Sequence, residues 1–252
     1  MHVSVILSTY NRARYLELSL LGYMRQSFKD FEVVVVDDGS TDETAEVIDR
    51  YRALASFPIT HLWQENKGFR KARILNEGIR ASRYDYIIFS DGDCLPKGDF
   101  VQAHVRNYEE GCFLGGGHIR LSKDYSRALT PEMVSQGLFE EVLTTEPLWS
   151  LRLRQWKNTF YSFLKKPRRP KFLGLNLSVE KRALYEVNGF DENYEGWGQE
   201  DSDLRERLKR FGLKPKSILT QAVVFHIYHE PHPTKVKRPN LSYSRRSDIP
   251  IR

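Results

Sequence analysis

The chain has 252 residues, of which 40% are hydrophobic and 29% are charged, with 16 glycines and 11 prolines. This composition excludes a disordered or collagen-like chain, and the length fits one large domain better than two. The formal net charge of +6 and the pI near 9.2 predict an anionic partner, which nucleotide phosphates, nucleic acid or an acidic membrane face would each satisfy.

Neither a membrane span nor a secretory signal is predicted. The sequence has no run of about 18 apolar residues, and its start lacks a basic segment followed by an apolar stretch and a cleavage site. Two cysteines, Cys94 and Cys112, are too few for a disulfide framework or a cysteine-rich zinc site. We therefore expect a chain that works in a reducing compartment, the cytoplasm.

Strands and helices alternate through residues 1–110. Runs of Val and Ile without polar interruption are typical of a parallel sheet covered on both faces. The pattern predicts an α/β sheet with right-handed crossovers. Predicted strands span residues 2–8, 31–40, 59–64 and 84–93, and predicted helices follow them at about 11–27, 41–51 and 68–82.

Alternation stops after residue 110. A strand with three glycines is expected at 111–122, a helix-rich stretch at 131–164, an amphipathic helix from Glu200, and a last strand within 218–230. We divide the chain into an α/β half at 1–110, a second half of the same domain at 111–230, and a tail at 231–252, which has the composition of a wrapping or disordered end.

Residues 151–171 carry eight basic side chains, no acid, and interleaved apolar residues. Such a segment can lie at an anionic membrane surface, bind a polyanion, or form a solvated loop. All three interpretations stay open. The membrane interpretation predicts that the chain works at the inner face of the cell membrane.

Polar residues follow three of the predicted parallel strands. In open α/β sheets, ligands bind beyond the carboxyl ends of the strands. A lone acid at such an end is usually a helix cap or turn residue, which is our interpretation of Asp42 and Asp99. Three clusters at one edge indicate a site: Thr9, Tyr10 and Asn11; Asp37 and Asp38; Asp91 and Asp93.

The turn Asp91-Gly92-Asp93 directly follows an apolar strand, so both carboxylates are expected at the edge of the sheet. Mg²⁺ and Mn²⁺ prefer oxygen ligands and complete their shell with substrate phosphate oxygens. The two acids suit a metal that bridges protein and diphosphate. The alternative is a turn with two solvated acids.

The stretch EGWGQEDSDLRERLKRFG places an acid cluster at the start of an amphipathic helix. Such acids complement the helix dipole, which is the structural alternative. Trp197, between two glycines, can offer an apolar face to a sugar, and Glu200 or Asp201 can accept a proton from a hydroxyl nucleophile. Spacing alone does not decide between these alternatives.

His226 and His229 follow the last apolar run. A histidine there is more often a hydrogen-bonded structural residue than a ligand, but with an acidic pair nearby one imidazole becomes a candidate third metal ligand. Residues three apart on a strand point to opposite faces, so we expect at most one of the two to bind.

Five stretches form a motif set, namely VILSTYNR, VVVVDDGSTDET, ENKGFRKAR, FSDGD and GLNLSVEKRALYEVNGFDENYEGWGQEDSDLRERL. Together they resemble the family 2 glycosyltransferases of the GT-A fold, over residues from Val3 to about Glu230. The last stretch is also similar to the C-terminal region of galactosyltransferases. The resemblance implies a Rossmann-like, mostly parallel sheet flanked by helices, with a helical C-terminal region on the acceptor side. It also implies a UDP-sugar donor, Mn²⁺ or Mg²⁺, and inversion at the anomeric carbon.

The resemblance implies that 1–110 is the nucleotide-sugar-binding half and 111–230 the acceptor-binding and catalytic half of the same domain. It also implies site residues. Asp38 would hydrogen-bond the base, Asp91 would contact the ribose or the metal, and Asp93 the metal. Asp201 is the preferred catalytic base, with Glu200 as the alternative, and His226 is preferred over His229 as third metal ligand. The implied nucleotide-sugar site comprises Thr9, Tyr10, Asn11, Arg12, Asp38, Asn66, Lys67, Arg70, Arg73, Asp91, Gly92, Asn176 and Trp197.

The expected function is transfer of a hexose or N-acetylhexosamine from a UDP-sugar to a glycan or a lipid-linked saccharide. One rival is nucleotidyl transfer to a sugar phosphate, although the triphosphate loop GxxxxGK[ST] is missing from the sequence. The other rival is a basic nucleic-acid-binding protein that uses 151–171. The acid-rich edge argues against nucleic acid, because carboxylates repel phosphates unless a cation intervenes.

Overall fold

A computed structural model describes residues 1–164, 166, 169–194, 196, 198–230 and 243. Within this part of the chain, eight strands form one sheet in the order β3-β2-β1-β4-β7-β6-β8-β5. The strands are β1 Val3–Thr9, β2 Phe31–Asp37, β3 Ile59–Trp63, β4 Tyr86–Asp91, β5 Cys94–Pro96, β6 Cys112–Arg120, β7 Asn176–Glu180 and β8 Lys214–His226.

Helices cover both faces of the sheet. The helices are α1 Ala13–Met24, α2 Thr44–Leu54, α3 Lys71–Ala81, α4 Phe100–Asn107, α5 Lys123–Ala128, α6 Pro131–Gln136, α7 Thr145–Phe163, α8 Lys181–Glu186 and α9 Glu200–Arg210, with a 3-10 turn at Leu138–Val142. Buried residues of α1, α2 and α4 pack on one face, and those of α3, α8 and α9 pack on the other. Strand β1 contributes to the hydrophobic core on both faces of the sheet, because the side chain of Val5 packs on one face and that of Ile6 on the other.

The N-terminal half forms the predicted parallel sheet. Strand β1 pairs in parallel with β2 and β4, and β2 pairs in parallel with β3. Every residue of β1 and β2 is buried, as the unbroken apolar runs predicted. The carboxyl ends of β1, β2 and β4 therefore lie at one edge. Asp42 accepts a hydrogen bond from the first N–H of α1 (Ala13) at 3.0 Å, which confirms its capping role.

The C-terminal half extends the same sheet rather than forming a separate layer. Strand β7, which the sequence pattern did not predict, pairs antiparallel with β4 and β6, and β6 pairs in parallel with β8. The glycines within β6 permit close packing. A Cβ on Gly116 would lie 2.2 Å from Oδ1 of Asn176, and one on Gly117 would lie 2.1 Å from the carbonyl oxygen of Leu219.

Three further expectations concerned the cysteines, membrane spans and the C-terminal tail. Both cysteines are buried and free. In the described part of the chain, no helix combines the length and the apolar character that a bilayer crossing requires. Except for Tyr243, the tail at 231–252 lies outside the described residues. Tyr243 donates a hydrogen bond to Asp191 at 2.8 Å.

Candidate functional site

The loops after β1 and β2 are tied together at the edge where the site was expected. Asn11 adopts a positive φ of 46°. Its N–H donates to Oγ of Ser40 and its side-chain oxygen accepts from the N–H of Thr41, both at 2.8 Å. Asparagine tolerates this left-handed backbone better than most residues, which explains its place in the turn. The geometry holds Tyr10, which is 38% exposed, beside the turn.

Asp38 anchors the segment that leads into α3. Its Oδ1 accepts from Nε2 of Gln64 at 2.5 Å and its Oδ2 accepts from the N–H of Arg70 at 2.8 Å. Burial raises the pKa of Asp38, against the effect of these donors. The carboxylate, expected to bind the base, is therefore already part of the loop framework.

The residues of the ENKGFRKAR stretch differ in their partners and in their exposure. Asn66 donates from Nδ2 to the hydroxyl of Tyr10 at 2.9 Å, so these two predicted site residues lie together. Lys67 pairs with Glu65 at 2.8 Å on the surface. Arg70 donates from Nη2 to the carbonyl of Glu65 at 2.5 Å. Arg73 is exposed on α3.

The turn after β4 packs closely on β1. The N–H of Gly92 donates to the carbonyl of Ser8 at 2.7 Å. A Cβ at position 92 would lie 3.2 Å from that carbonyl oxygen and 3.3 Å from Cβ of Thr9. Glycine thus allows the acidic turn to approach the first loop, and Thr9 is buried beneath it.

Asp91 is engaged by the protein. Its Oδ1 accepts from Oγ of Ser8 at 2.5 Å and from Nζ of Lys71 at 2.6 Å. Burial alone would lower the pKa of Lys71, but the charges of Asp91 and Glu200 outweigh burial and raise it above its ordinary value. Lys71 therefore stays charged between the end of β4 and the start of α9.

Asp93 forms a compact group with His226 and His229. Oδ1 of Asp93 lies 3.7 Å from Nε2 of His226, and its Oδ2 lies 3.2 Å from Nε2 of His229. Arg12 forms an ion pair with Asp93 and places Nη2 3.0 Å from Nδ1 of His229. Burial opposes the charge on Asp93, but the hydrogen bond with His229 and the charges of His226 and Arg12 hold its pKa well below the usual range.

These three side chains fit a divalent cation. One ligand atom from each of Asp93, His226 and His229 lies within 4.8 Å of the others, and Asp91 is not part of this group among the described residues. A carboxylate with two imidazoles suits Mn²⁺ better than Mg²⁺, which prefers an all-oxygen shell. Both imidazoles lie beside Asp93, and the expectation that at most one of them binds a metal stays a prediction. Strand β8 ends at His226, so strand alternation does not apply to His229.

The acids of α9 lie at its N-terminus, beside the donor half of the site. Oδ2 of Asp201 accepts from the N–H of Gly174 at 2.9 Å. Oε2 of Glu200 is buried without a hydrogen-bond partner. Burial, followed by the charge of Asp201, raises the pKa of Glu200 to about 7. Since Lys71 and Asp91 also act on Glu200, the two halves of the chain meet at this point.

Asn176 lies in the core rather than on the surface of the site. Its side chain donates to the carbonyls of Gly117 at 2.8 Å and Ala222 at 3.0 Å, and its Oδ1 lies 2.9 Å from Nε2 of His104. The residue is 1% exposed. Its side chain is therefore engaged by buried groups of the protein, and its role in the nucleotide-sugar site stays a prediction.

Two residues of the site were missed by the sequence analysis, and one cannot be placed. Lys71 and Ser8 both contact Asp91. The sequence offered one signal for Lys71, a third cation in GFRKAR, but it does not say which of the three cations points inward.

Trp197 lies outside the described residues. A cavity of about 780 Å³, bordered by Asn76, Tyr185 and Asp191, shares no residue with the site.

Family models match the chain in two overlapping segments. A model described as glycosyl transferase family 2 matches residues 4–171. A model described as the N-terminal domain of galactosyltransferase matches residues 154–232. The overlap falls within α7 and the segment after it.

Named relatives are longer than this chain. Validoxylamine A glucosyltransferase of Streptomyces hygroscopicus subsp. jinggangensis is 31% identical over 239 residues, which cover 90% of this chain and 56% of that protein. Chondroitin synthase of Escherichia coli is 27% identical over 238 residues, which cover 89% of this chain and 34% of that protein. The chain thus spans about a third to a little over half of these relatives.

Solved structures share the fold. The mannosyltransferase PcManGT from Pyrobaculum calidifontis in complex with GDP-Man and Mn²⁺ has a TM-score of 0.65 at 21% identity, covering 94% of this chain and 59% of that one. Staphylococcus aureus TarS 1–349 in complex with UDP-GlcNAc has a TM-score of 0.64 at 20% identity, covering 93% and 61%. The expected mostly parallel α/β fold of the GT-A type is confirmed.

Proposed function

Since the chain belongs to glycosyl transferase family 2, we propose that it is a metal-dependent inverting glycosyltransferase. It moves a hexose or N-acetylhexosamine from a UDP-sugar to a hydroxyl of a glycan or a lipid-linked saccharide. The carrying observation is that the group Asp93–His226–His229 and the acids Glu200 and Asp201 lie on the same edge, joined by Lys71 and Asp91. Solved proteins of this fold hold UDP-GlcNAc, or GDP-Man with Mn²⁺, which supports a nucleotide-sugar donor.

Asp93, His226 and His229 would hold Mn²⁺ or Mg²⁺. When bound there, the cation supplies Lewis-acid stabilisation of the charge that develops on the leaving diphosphate. The ion pair of Arg12 with Asp93 keeps a guanidinium beside this group. Arg12 is thus placed to contact the donor phosphates.

The loops after β1 and β2 would hold the nucleotide. Tyr10 and Asn66 are hydrogen-bonded to each other, and Asp38 orders the loop that carries Arg70. Thr9 and Gly92, which pack against each other, would lie beneath the nucleotide. Asn11, Lys67 and Arg73 complete the nucleotide side, and Trp197 would border the sugar.

Asp201 would act as the catalytic base and accept the proton of the acceptor hydroxyl as its oxygen attacks the anomeric carbon. This choice rests on the family resemblance; Glu200 is the alternative base, because burial raises its pKa to about 7, near the working pH. Glu200 would then hold the donor sugar by hydrogen bonds. The N–H of Gly174 fixes the orientation of Asp201.

The acceptor side is proposed to work at a membrane. A lipid-linked saccharide lies at the inner face of the cell membrane, and residues 151–171 would attach the chain peripherally to that anionic surface. Both family models include this segment in whole or in part.

The decisive experiment exposes the chain to a panel of nucleotide-sugars, with and without MnCl₂, and measures thermal stabilisation and release of nucleoside diphosphate. We expect one UDP-sugar to stabilise the chain only with Mn²⁺, and the Asp93→Ala variant to lose this effect. The matched control is His2→Ala, since His2 is exposed and stacks on Tyr84. Pyrophosphate release from a nucleoside triphosphate would instead indicate a nucleotidyltransferase. Salt-sensitive binding of nucleic acid without donor binding would indicate a nucleic-acid-binding protein.

A further inference from the structure

Helix α7 packs its polar side on the protein. Nδ2 of Asn158 donates to Oγ of Ser217 at 3.3 Å, and Oγ of Ser162 donates to the carbonyl of Pro215 at 3.2 Å. Oε1 of Gln155 accepts from the N–H of Thr220 at 3.0 Å. The contacts with β8 are therefore largely polar, and Leu151 is the residue of α7 that is buried.

The apolar side of α7 faces outward. Its exposed large residues recur at steps of four and three, which places them on one side of a helix. We name them the apolar stripe: Trp149 (58% exposed), Leu153 (44%), Trp156 (67%), Phe160 (48%) and Phe163 (82%). The stripe runs about 21 Å along the helix. This is the reverse of an ordinary amphipathic helix, whose apolar side faces the core.

Basic side chains border the apolar stripe. At 100° per residue, Arg152 falls on one side of the stripe and Lys157 on the other, and both are exposed. The exposed cations Lys166, Arg169 and Lys171 follow the helix, and no acid occurs from residue 147 to 171. A second copy of this chain would bring like charges together on both sides of the contact, which disfavours self-association. An anionic lipid surface complements both the apolar and the basic residues.

The buried side of α7 lies close to the proposed site. A Cβ on Gly117 of β6 would lie 3.1 Å from Leu151, the inward residue of α7. Gly117 pairs with Val223 of β8, and three residues further β8 ends at His226. The site is therefore about 10 Å along the strand from the helix. Because the helix is about 10–12 Å across, a saccharide held at the lipid surface on its outward side would lie about 20 Å from the metal-binding group.

We propose that α7 docks the chain on an anionic lipid surface, with the apolar stripe inserted among the headgroups and the Arg152 and Lys157 side chains on the lipid phosphates. The helix lies in the plane of the interface. This inference deepens the proposed function, and it rests on that function for the acceptor that the membrane would present.

Co-sedimentation of the full 252-residue chain with vesicles tests it. One set of vesicles contains phosphatidylcholine alone, and the other a mixture with phosphatidylglycerol, each at low and moderate salt. We expect binding to the mixture only, weakened by salt. The triple variant Trp149→Ser, Trp156→Ser, Phe160→Ser should lower the partition coefficient at least about tenfold, and Arg152→Glu with Lys157→Glu should do the same.

Matched controls exclude general effects. Tyr185→Ser changes an aromatic residue that is 54% exposed on α8, and Arg182→Glu reverses an exposed charge on the same helix. Both should bind like the parent chain. The basic tail is present in every variant, so a loss in the α7 variants alone assigns the binding to α7.

Three results would overturn the inference. They are failure of the parent chain to bind phosphatidylglycerol vesicles, equal losses in the Tyr185→Ser control, and concentration-dependent dimers that the triple variant abolishes. Donor-induced stabilisation with MnCl₂, measured without lipid, should be the same in the triple variant and the parent chain. Failure of the parent chain to bind lipid, with donor-induced stabilisation retained, would therefore refute the docking surface and leave the proposed sugar transfer standing.

Discussion

Nζ of Lys71 lies 2.6 Å from Oδ1 of Asp91, and this ion pair joins the start of α3 to the end of β4. Each side chain is 22% exposed, so the pair is largely shielded from water. Glu200 of α9 adds to the negative potential at Lys71. A single cation thus stabilises carboxylates from both halves of the chain.

Replacing Lys71 with Met should reduce stability by about 2–3 kcal/mol, because the partly buried Asp91 loses its cationic partner. We also expect kcat/KM to fall at least about tenfold, because Asp91 loses its fixed orientation. Lys71→Arg, which keeps the charge, should recover most of the stability. Urea unfolding and steady-state kinetics measure both effects. A Met variant with unchanged stability and kinetics would show that the ion pair has no role in either.

Changing Asp201 to Asn should lower kcat by about 10²–10⁴-fold, because the amide cannot accept the proton of the acceptor hydroxyl. Donor affinity should stay the same, since the amide oxygen can still accept the hydrogen bond from Gly174. Single-turnover kinetics with a soluble acceptor separate the two quantities. Glu206→Gln, on the same helix, is the control. Normal turnover in a folded Asn variant would exclude Asp201 as the base.

Glu200 should make stability depend on pH. Burial and the charge of Asp201 raise its pKa from 4.5 to about 7, so the folded chain keeps a proton that the unfolded chain releases. The contribution of the protonated Glu200 to the free energy of unfolding is complete below about pH 4.5, and it is lost as the pH rises through about 7. Glu200→Gln should therefore match the parent chain at pH 4 and exceed it at pH 8, by on the order of 3 kcal/mol.

Urea unfolding at the two pH values provides the measurement. The control is Glu46→Gln, which changes an exposed glutamate on α2 and should shift stability equally at both pH values. A Glu200→Gln variant that follows the parent chain at both pH values would contradict the raised pKa.

We expect Asn176 to stabilise the fold rather than to bind the donor. Its amide donates to two buried carbonyls, so its Oδ1 faces His104, whose Nε2 must carry the hydrogen. Burial lowers the pKa of His104 to about 4, so the ring is neutral at pH 7. Asn176→Ala leaves these groups unpaired and should reduce stability by about 2–4 kcal/mol with donor affinity unchanged, compared with the exposed Asn193→Ala. A stable variant with weakened donor or acceptor binding would restore the role that the resemblance implied.

The local pattern of the chain predicted the parallel half of the sheet and the edge on which the site lies. Unbroken apolar runs separated by helical periodicity leave few alternatives to a covered parallel sheet, and parallel strands must end at a common edge. The acidic turn at Asp91–Asp93 and the acid cluster at Glu200 were therefore visible as site candidates without coordinates. The family match then confirmed the family that the motifs together resemble.

The short strands β5 and β7 could not be predicted in this way. Strand β5 has three residues, Cys94–Pro96, and pairs with residues more than 120 positions later in the chain. Strand β7 lies between β4 and β6 in the sheet. Pairing between distant segments leaves no periodic signal in either segment.

Which side chains converge on the site was likewise decided by tertiary structure. Side-chain direction depends on how distant elements pack, so local spacing did not reveal that Lys71 points at Asp91, that Asn176 points into the core, or that both histidines reach Asp93. The outward direction of the apolar stripe on α7 has the same origin. A hydrophobic period indicates that a helix has an apolar side, but only the docking of its polar side on β8 determines that the apolar side faces away from the protein.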